Sequence, residues 1–284
     1  MNQSRQISVV LIIAIVAGAI AGLAASKVGG SSSASGGGTA PGTYLNKWKA
    51  AGEIKVGCAD SPPTIVVDAS GNCSGPDLLP LQELAATMNI KLVTVATSWQ
   101  NIVTGVEANQ YDFAADLDAT GQRSLAIRYT APVWNYPGVF VVKPDIQWRN
   151  SVDLLKANQP IATPSGTAQD LALRDAKANE LLLPDYDQCL LALTSGKAVA
   201  VFADNGTAEV MVQKQPTLKI MIPDPALFVH DVAYGVRQDI DDASLQAVNI
   251  FINNQVMAGK ISRAFAAAGY LDITQLQQSG MVLK

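Results

Sequence analysis

Residues 91–123 read KLVTVATSWQNIVTGVEANQYDFAADLDATGQR, and the period of their apolar residues changes twice. Lys91 to Ala96 is short, apolar and β-branched, which predicts a strand. From Trp99 to Ala108 the apolar residues fall at helical spacing, and from Tyr111 to Leu117 strand character returns. Strand, helix and strand in this succession predict a largely parallel sheet with helices on its faces.

The same rhythm extends in both directions. Upstream, Tyr44, Leu45 and Trp48 mark a helix that ends at Gly52; IKVGC (54–58) reads as a buried strand, TIVVDASGNCSG (64–75) as a hairpin with a Gly-Asn turn, and Leu78 to Met88 as a helix. Downstream a second round begins. GVFVVKP (138–144) is a strand, SVDLLKA (151–157) a short helix, PIATPSG (160–166) a strand and turn, AQDLALRDAKA (168–178) a helix, and ALTSGKAVAVFAD (192–204) a helix end, a turn and a strand that runs into a helix from Gly206. A strand at Val232 to Val236 and helices over Ser244 to Val256 and Ile261 to Ala268 close the chain. Two α/β rounds predict two lobes, each a mostly parallel sheet flanked by helices. In such sheets ligands bind beyond the carboxyl ends of the strands, where loops feed the next helix and its free amides. Four places qualify: Asp60 to Pro63, Asp116 to Arg123, Ser165 to Thr167, and Asp204.

Composition narrows the function. The 284 residues carry 20 Lys+Arg against 24 Asp+Glu, a net charge of -4, so no basic footprint for nucleic acid is present. With 49% apolar residues the chain is too apolar to be disordered. His230 is the one histidine, which excludes a multi-histidine metal site, and neither a metal nor a cofactor is expected. Three cysteines are too few for a disulfide scaffold.

Residues 1–28 stand apart. Arg5 precedes an uncharged run from Ile7 to Ser26, long enough as a helix to span a bilayer core of roughly 30 Å. It reads either as an uncleaved membrane anchor or as an export signal with Ala24-Ala25-Ser26 at the cleavage site. The Gly/Ser-rich residues 29–42 read as a flexible tether. Both readings of the run place the folded part outside the cytoplasm, periplasmic or otherwise extracytoplasmic. In that oxidising setting Cys58 and Cys73 are close enough in sequence to pair, with Cys189 left free; three buried, unpaired cysteines are the alternative.

FAADLDATGQR carries the candidate chemistry. Alternation puts Asp116 and Asp118 on one face of the strand, and Thr120 is placed to cap a helix whose first turn holds Arg123. A cation there is disfavoured by the helix dipole unless it serves an anion, and a guanidinium beside a hydroxyl and free amides makes a carboxylate receptor. A structural ion pair of Arg123 with Asp116 or Asp118 is the competing reading.

The order of segments resembles the family-3 extracellular solute-binding proteins, the amino-acid-binding components of ABC importers. The similarity runs from Trp48 to Leu271 through KAAGEIKVGCADSPP, Gly75-Pro-Asp77, SWQNIVTGVEANQYDF, the T-x-x-R of Thr120 to Arg123, YTAPVW, SGTAQDLA, LTSGKAVAVFADNGTAEV and VAYGVRQD. The resemblance implies a type II periplasmic-binding-protein-like fold with the ligand cleft between the lobes. Lobe 1 would hold 43–136 and 231–284, lobe 2 would hold 137–230, and the crossings would fall near Asn135 to Gly138 and Val229 to Val232. It further implies that Arg123 and Thr167 take an α-carboxylate, that Asp204 takes an α-ammonium, and that Trp99 packs on the ligand side chain. The implied partner is an ABC permease.

This chain also departs from that pattern. Asp118 stands where the family commonly has Ser or Thr, five residues before the Arg, and Asp116 and Asp60 add further carboxylates, which favours a basic amino acid or another amine. The SPPT loop lacks the family's usual aromatic, while Trp48, Trp134 and Trp148 read as packing residues and His230 as a structural one. Two other functions fit the same scaffold: a cyclohexadienyl dehydratase, whose general acid would be sought among Asp116, Asp118 and Glu209, and a sensory module serving a membrane receptor.

Overall fold

The computed structural model describes residues 40–283. The expected anchor or signal, 1–28, and nearly all of the expected tether lie outside the described residues. Among the described residues no helix is long and apolar enough to cross a membrane.

The strands are β1 (Glu53–Cys58), β2 (Val66–Val67), β3 (Cys73–Ser74), β4 (Lys91–Ala96), β5 (Phe113–Asp118), β6 (Arg128–Tyr129), β7 (Trp134–Val142), β8 (Ile161–Pro164), β9 (Glu180–Leu183), β10 (Ala200–Asp204), β11 (Lys219–Met221) and β12 (Val229–Val236). The helices are α1 (Thr43–Ala51), α2 (Leu79–Met88), α3 (Ile102–Glu107), α4 (Ser151–Lys156), α5 (Ala168–Asp175), α6 (Tyr186–Thr194), α7 (Asn205–Lys214), α8 (Asp242–Met257), α9 (Lys260–Ala267) and α10 (Ile273–Gln278).

The main sheet runs β4-β1-β5-β12-β7-β10-β8-β9, with β6 beside β12 and β11 beside β7. Its two ends are parallel triplets: β4-β1-β5 in one half and β10-β8-β9 in the other. Between them β12 and β7 pair antiparallel over Val229 to Val232 and Trp134 to Pro137. Each of these two strands then leaves its partner for a different triplet. Beyond Val232, β12 pairs with β5; beyond Gly138, β7 pairs with β10. The chain therefore passes from one half of the sheet to the other on two adjacent strands.

Each half has its own core. In the first, Trp48, 1% exposed, packs on Tyr44 and Phe113 beneath Ile54, Leu81 and Ile252. In the second, Val139, Val201, Leu193 and Ile220 join one cluster while Phe140, Phe202 and Leu154 join another. The final residues cross over: Leu276 and Val282 pack with the second core, and Val282 bridges to Ile220. The family resemblance groups this tail, within 231–284, with lobe 1; Leu276 and Val282 pack on the other half.

The sequence reading also placed a helix start at Thr120. Only a three-residue 3-10 turn, Arg123 to Leu125, forms there, although the Thr120 hydroxyl does accept from the Arg123 amide at 3.2 Å. Strand β9, strand β11 and helix α10, which the sequence reading did not identify, are short, and tertiary packing decides their conformation. Cys58 and Cys73 form a disulfide that ties the end of β1 to the small β2-β3 hairpin, and Cys189 is free and buried.

Candidate functional site

The two halves face each other across a cleft, and strand ends supply its floor. On β5 the alternation of FAADLD sends Asp116 and Asp118 into a small inner cavity, and the end of β10 adds Asp204 from the other half. Aromatic walls come from Trp99, Trp134, Tyr136 and Tyr186. Ser61, Thr167 and Gln169 complete the lining, so among the described residues no Lys, Arg or His lines this space. Its volume is about 10 Å³, the space of one water.

Backbone conformation aims the carboxylates. Asp116 lies in the left-handed region at φ 56, a setting that costs a non-glycine residue about 1 kcal/mol or more and that Asp tolerates better than most. Opposite it, the pairing of β12 with β5 shifts register between Ala233 and Gly235. Two contacts hold the strained residue: its amide donates to Asp77 Oδ2 at 2.9 Å, and its Oδ2 accepts from the Thr64 hydroxyl at 2.8 Å. Asp77 itself is fully buried, and the Tyr234 hydroxyl donates to its backbone carbonyl. Asp204 is the N-cap of α7, where Oδ1 accepts from the Thr207 amide at 2.7 Å. That leaves Oδ2 as the oxygen not used by the cap.

Burial and mutual repulsion act together on this group. Removal from water raises the Asp116 carboxyl well above its ordinary range, and the charges of Asp77, Asp204 and Asp118 raise it further. Burial likewise lifts Asp204 to about 6. Asp118 is raised by burial and held back first by the Arg123 guanidinium. These groups give up their protons most readily when a cation is placed among them.

Arg123 and Thr120 stand elsewhere. With Gly166, Asp170 and Arg174 they line an outer cleft of about 360 Å³, which Trp99 and Thr167 share with the inner cavity. The Arg123 Nη1 donates to the Asp118 carbonyl at 3.2 Å and Nη2 to the Gly166 carbonyl at 2.8 Å, while Asp118 Oδ2 lies 4.0 Å from Nη1. The Thr167 hydroxyl donates to the Pro164 carbonyl and accepts from the Asp170 amide, so it caps α5. Asp60 is exposed, accepts from the Val67 amide at 2.9 Å, and lines a separate opening with Asp185, Asp187 and Lys214. Glu209 is a buried residue of α7 and accepts from the Leu271 amide at 3.0 Å.

The structure thus brings Asp116, Asp118, Asp204, Trp99 and Thr167 together, places Arg123 and Thr120 at the adjoining outer cleft, and separates Asp60. Trp134, read from the sequence as a packing residue, packs on Phe265 and Tyr270 and also lines the inner cavity. Tyr136, Gln169 and Tyr186 were not foreseen. Gln169 donates to the Tyr136 hydroxyl at 2.7 Å across the cleft wall. The one available signal was Tyr136 at a predicted crossing, since a crossing strand borders the cleft on both sides. Trp148 packs with the second half's core, and His230 sits on β12 opposite Tyr136, its ring against Phe228.

Residues 54–267 match the bacterial extracellular solute-binding proteins, family 3. Over 197 residues the chain is 22% identical to ABC transporter arginine-binding protein 1 of Escherichia coli (strain K12), covering 67% of this chain and 79% of that one. A mutant of ArgBP from T. maritima superposes with a TM-score of 0.71 at 23% identity, covering 79% of this chain and 98% of that one. An ancestral amino acid-binding protein, a precursor of cyclohexadienyl dehydratase, superposes with a TM-score of 0.70 at 19% identity, covering 79% of this chain and 98% of that one.

Proposed function

The chain belongs to the bacterial extracellular solute-binding proteins of family 3 and has the two-lobed, type II periplasmic-binding-protein fold; from that premise we propose that it captures a cationic amino acid or another amine outside the cytoplasm and delivers it to an ABC permease. One observation carries this reading: three carboxylates from both halves, Asp116, Asp118 and Asp204, converge on an aromatic-walled cavity that, among the described residues, no basic side chain lines. A buried cation there gains charge-assisted hydrogen bonds and contact with aromatic faces. Residues 43–136 with the first part of 231–284 act as one lobe and 137–230 as the other, hinged where β7 and β12 cross. A cavity of about 10 Å³ admits no amine until the lobes part, so capture proceeds by opening and closure.

The protein acts by binding, without catalysis. Glu209, one of the candidate acids for a dehydratase, is engaged with the Leu271 amide away from the cavity, which supports this reading. The uncharged run Ile7 to Ser26 and the Gly/Ser-rich residues after it serve as anchor and tether, keeping the receptor at high effective concentration near its permease. Incubating the full chain with a mixture of amino acids, amines and prephenate, then analysing the bound and free fractions by mass spectrometry, tests both points. Recovery of an unchanged cation supports capture. Conversion of prephenate, or retention of acidic solutes alone, overturns the proposal.

A further inference from the structure

We infer that Thr64 and Asp77, neither of which lines the inner cavity, are positioning residues that hold Asp116 as a neutral carboxylic acid in the unliganded protein, so that an entering cation meets the charges of Asp118 and Asp204 alone. The inference rests on the cleft being the capture site and deepens that reading by naming which of its acids are charged.

Proton counting at Thr64 is the first observation. Thr64 is buried, and its hydroxyl oxygen lies 2.6 Å from the Ser61 carbonyl oxygen and 2.8 Å from Asp116 Oδ2. Each contact is short enough to require a proton between its two oxygens. A carbonyl has none to give, and a hydroxyl has one. With Asp116 ionised, the Thr64 hydroxyl would have to donate in both directions at once. A proton on Asp116 completes the count: Oδ2 donates to the Thr64 oxygen, and the Thr64 hydroxyl donates to the Ser61 carbonyl. Asp116 then offers the cavity an uncharged acceptor.

Asp77 is the second. It is fully buried, its Oδ2 accepts from the Asp116 amide at 2.9 Å, and its Oδ1 has no hydrogen-bond partner. That bond holds Asp116 at its positive φ of 56 and sets another acid beside it, and neighbouring buried acids resist carrying charge together. Burial raises both, but Asp77 is held back by the Asp116 amide, whereas Asp116 is raised further by the charges of Asp77, Asp204 and Asp118. The two environments part the pair, leaving the proton on Asp116. Tyr186 of α6, Tyr234 of β12 and Tyr270 after α9 also act on Asp116, and burial pushes each phenol up, so all three stay uncharged.

Infrared difference spectroscopy of the full unliganded chain tests this through the carbonyl-stretch band that a carboxylic acid shows and a carboxylate lacks. At neutral pH the difference between the unmodified protein and Asp116→Asn is expected to contain that band, with other buried acids such as Glu209 cancelling; Asn also tolerates the left-handed backbone. Thr64→Val deprives the acid proton of its acceptor and moves the band to higher frequency. Asp77→Asn keeps an acceptor for the Asp116 amide but removes the charge, so the pH at which the band fades falls by about 1 or more. A merely structural role for Thr64 and Asp77 would produce neither shift. Circular dichroism checks folding, and should Asp116→Asn fail to fold, the difference between the unmodified protein and Thr64→Val reads the same band. Absence of the band at neutral pH overturns the inference, as does a band that Thr64→Val or Asp77→Asn leaves unmoved. No ligand is present, so both results leave cation capture standing; its own failure is read from the bound and free fractions.

Discussion

The Nη2 of Arg123 donates to the carbonyl oxygen of Gly166 at 2.8 Å, joining the loop after β5 to the loop before α5 across the cleft. Its Nη1 holds the Asp118 carbonyl on the near side, so one guanidinium spans both halves in the closed arrangement. The Arg that the family resemblance assigns to a ligand carboxylate is therefore engaged here as a bridge between the halves.

If that bridge stabilises closure, removing it favours the open arrangement. Arg123→Ala is expected to weaken binding of the cationic cargo about tenfold or more and to raise the radius of gyration of the liganded protein in small-angle scattering. Arg123→Lys, which keeps charge but loses the fork, recovers less than half of the lost binding free energy. An unchanged affinity in both variants contradicts a latch.

Gly166 supplies an independent check on closure. A side chain there would come within 3.0 Å of the Gln100 backbone, and the residue sits at φ 82, where L-residues are strained. Gly166→Ala is expected to weaken cargo binding by about tenfold while leaving the carboxylates untouched. Wild-type affinity in that variant would mean that the loops do not approach this closely when cargo is held.

Asp204 has two roles that substitution separates. Asn retains the acceptor that caps α7 but loses the charge, whereas Ala loses both. Truncating a buried charge pair costs about 2–5 kcal/mol, so both variants are expected to lose at least about thirtyfold in affinity. Only Asp204→Ala should lose a further ~1 kcal/mol of fold stability from the missing cap, read by denaturant unfolding.

The buried carboxyls also set a pH dependence. Burial raises Asp204 to about 6 and Glu209 to about 8 in the folded chain. For an acid raised on folding, the folded state holds its proton more tightly than the unfolded chain does, with an ordinary carboxyl near about 4. The contribution of these two groups to the stability of the unliganded protein is therefore expected to be undiminished below about pH 4 and to fall as pH rises through about 6 and then about 8. Cargo affinity runs the other way: a cation needs ionised Asp204, so binding tightens from about pH 5 to pH 7 and releases protons. Melting curves with and without cargo across this range check both signs. Affinity that is flat with pH would remove Asp204 from the site.

Much of this was legible in the sequence, and the reasons differ by residue. The βαβ rhythm of 91–123 fixed two strands and the helix between them because hydrophobic period is a local property. Asp116, Asp118 and Asp204 were found because strand ends in α/β sheets face the ligand crevice. Trp134, Tyr136 and Tyr186 escaped because an aromatic in a strand or helix packs as readily as it lines a cavity, and only the partner half decides which. The left-handed turn at Asp116 carries no sequence signal, since it depends on the register shift in β12. Arg123 was placed as a receptor by analogy; its reach to Gly166 depends on how the halves meet, which no local pattern encodes.

The central claim, that the carboxylate-lined cleft selects a positive charge, is tested most directly by calorimetry of the full chain with isosteric pairs differing in charge: 1,5-diaminopentane against pentane-1,5-diol, and lysine against norleucine. The account predicts saturable binding of a cationic member, none by its neutral counterpart, and loss of that binding in Asp204→Asn. Equal binding of a neutral partner, unchanged in Asp204→Asn, would contradict it.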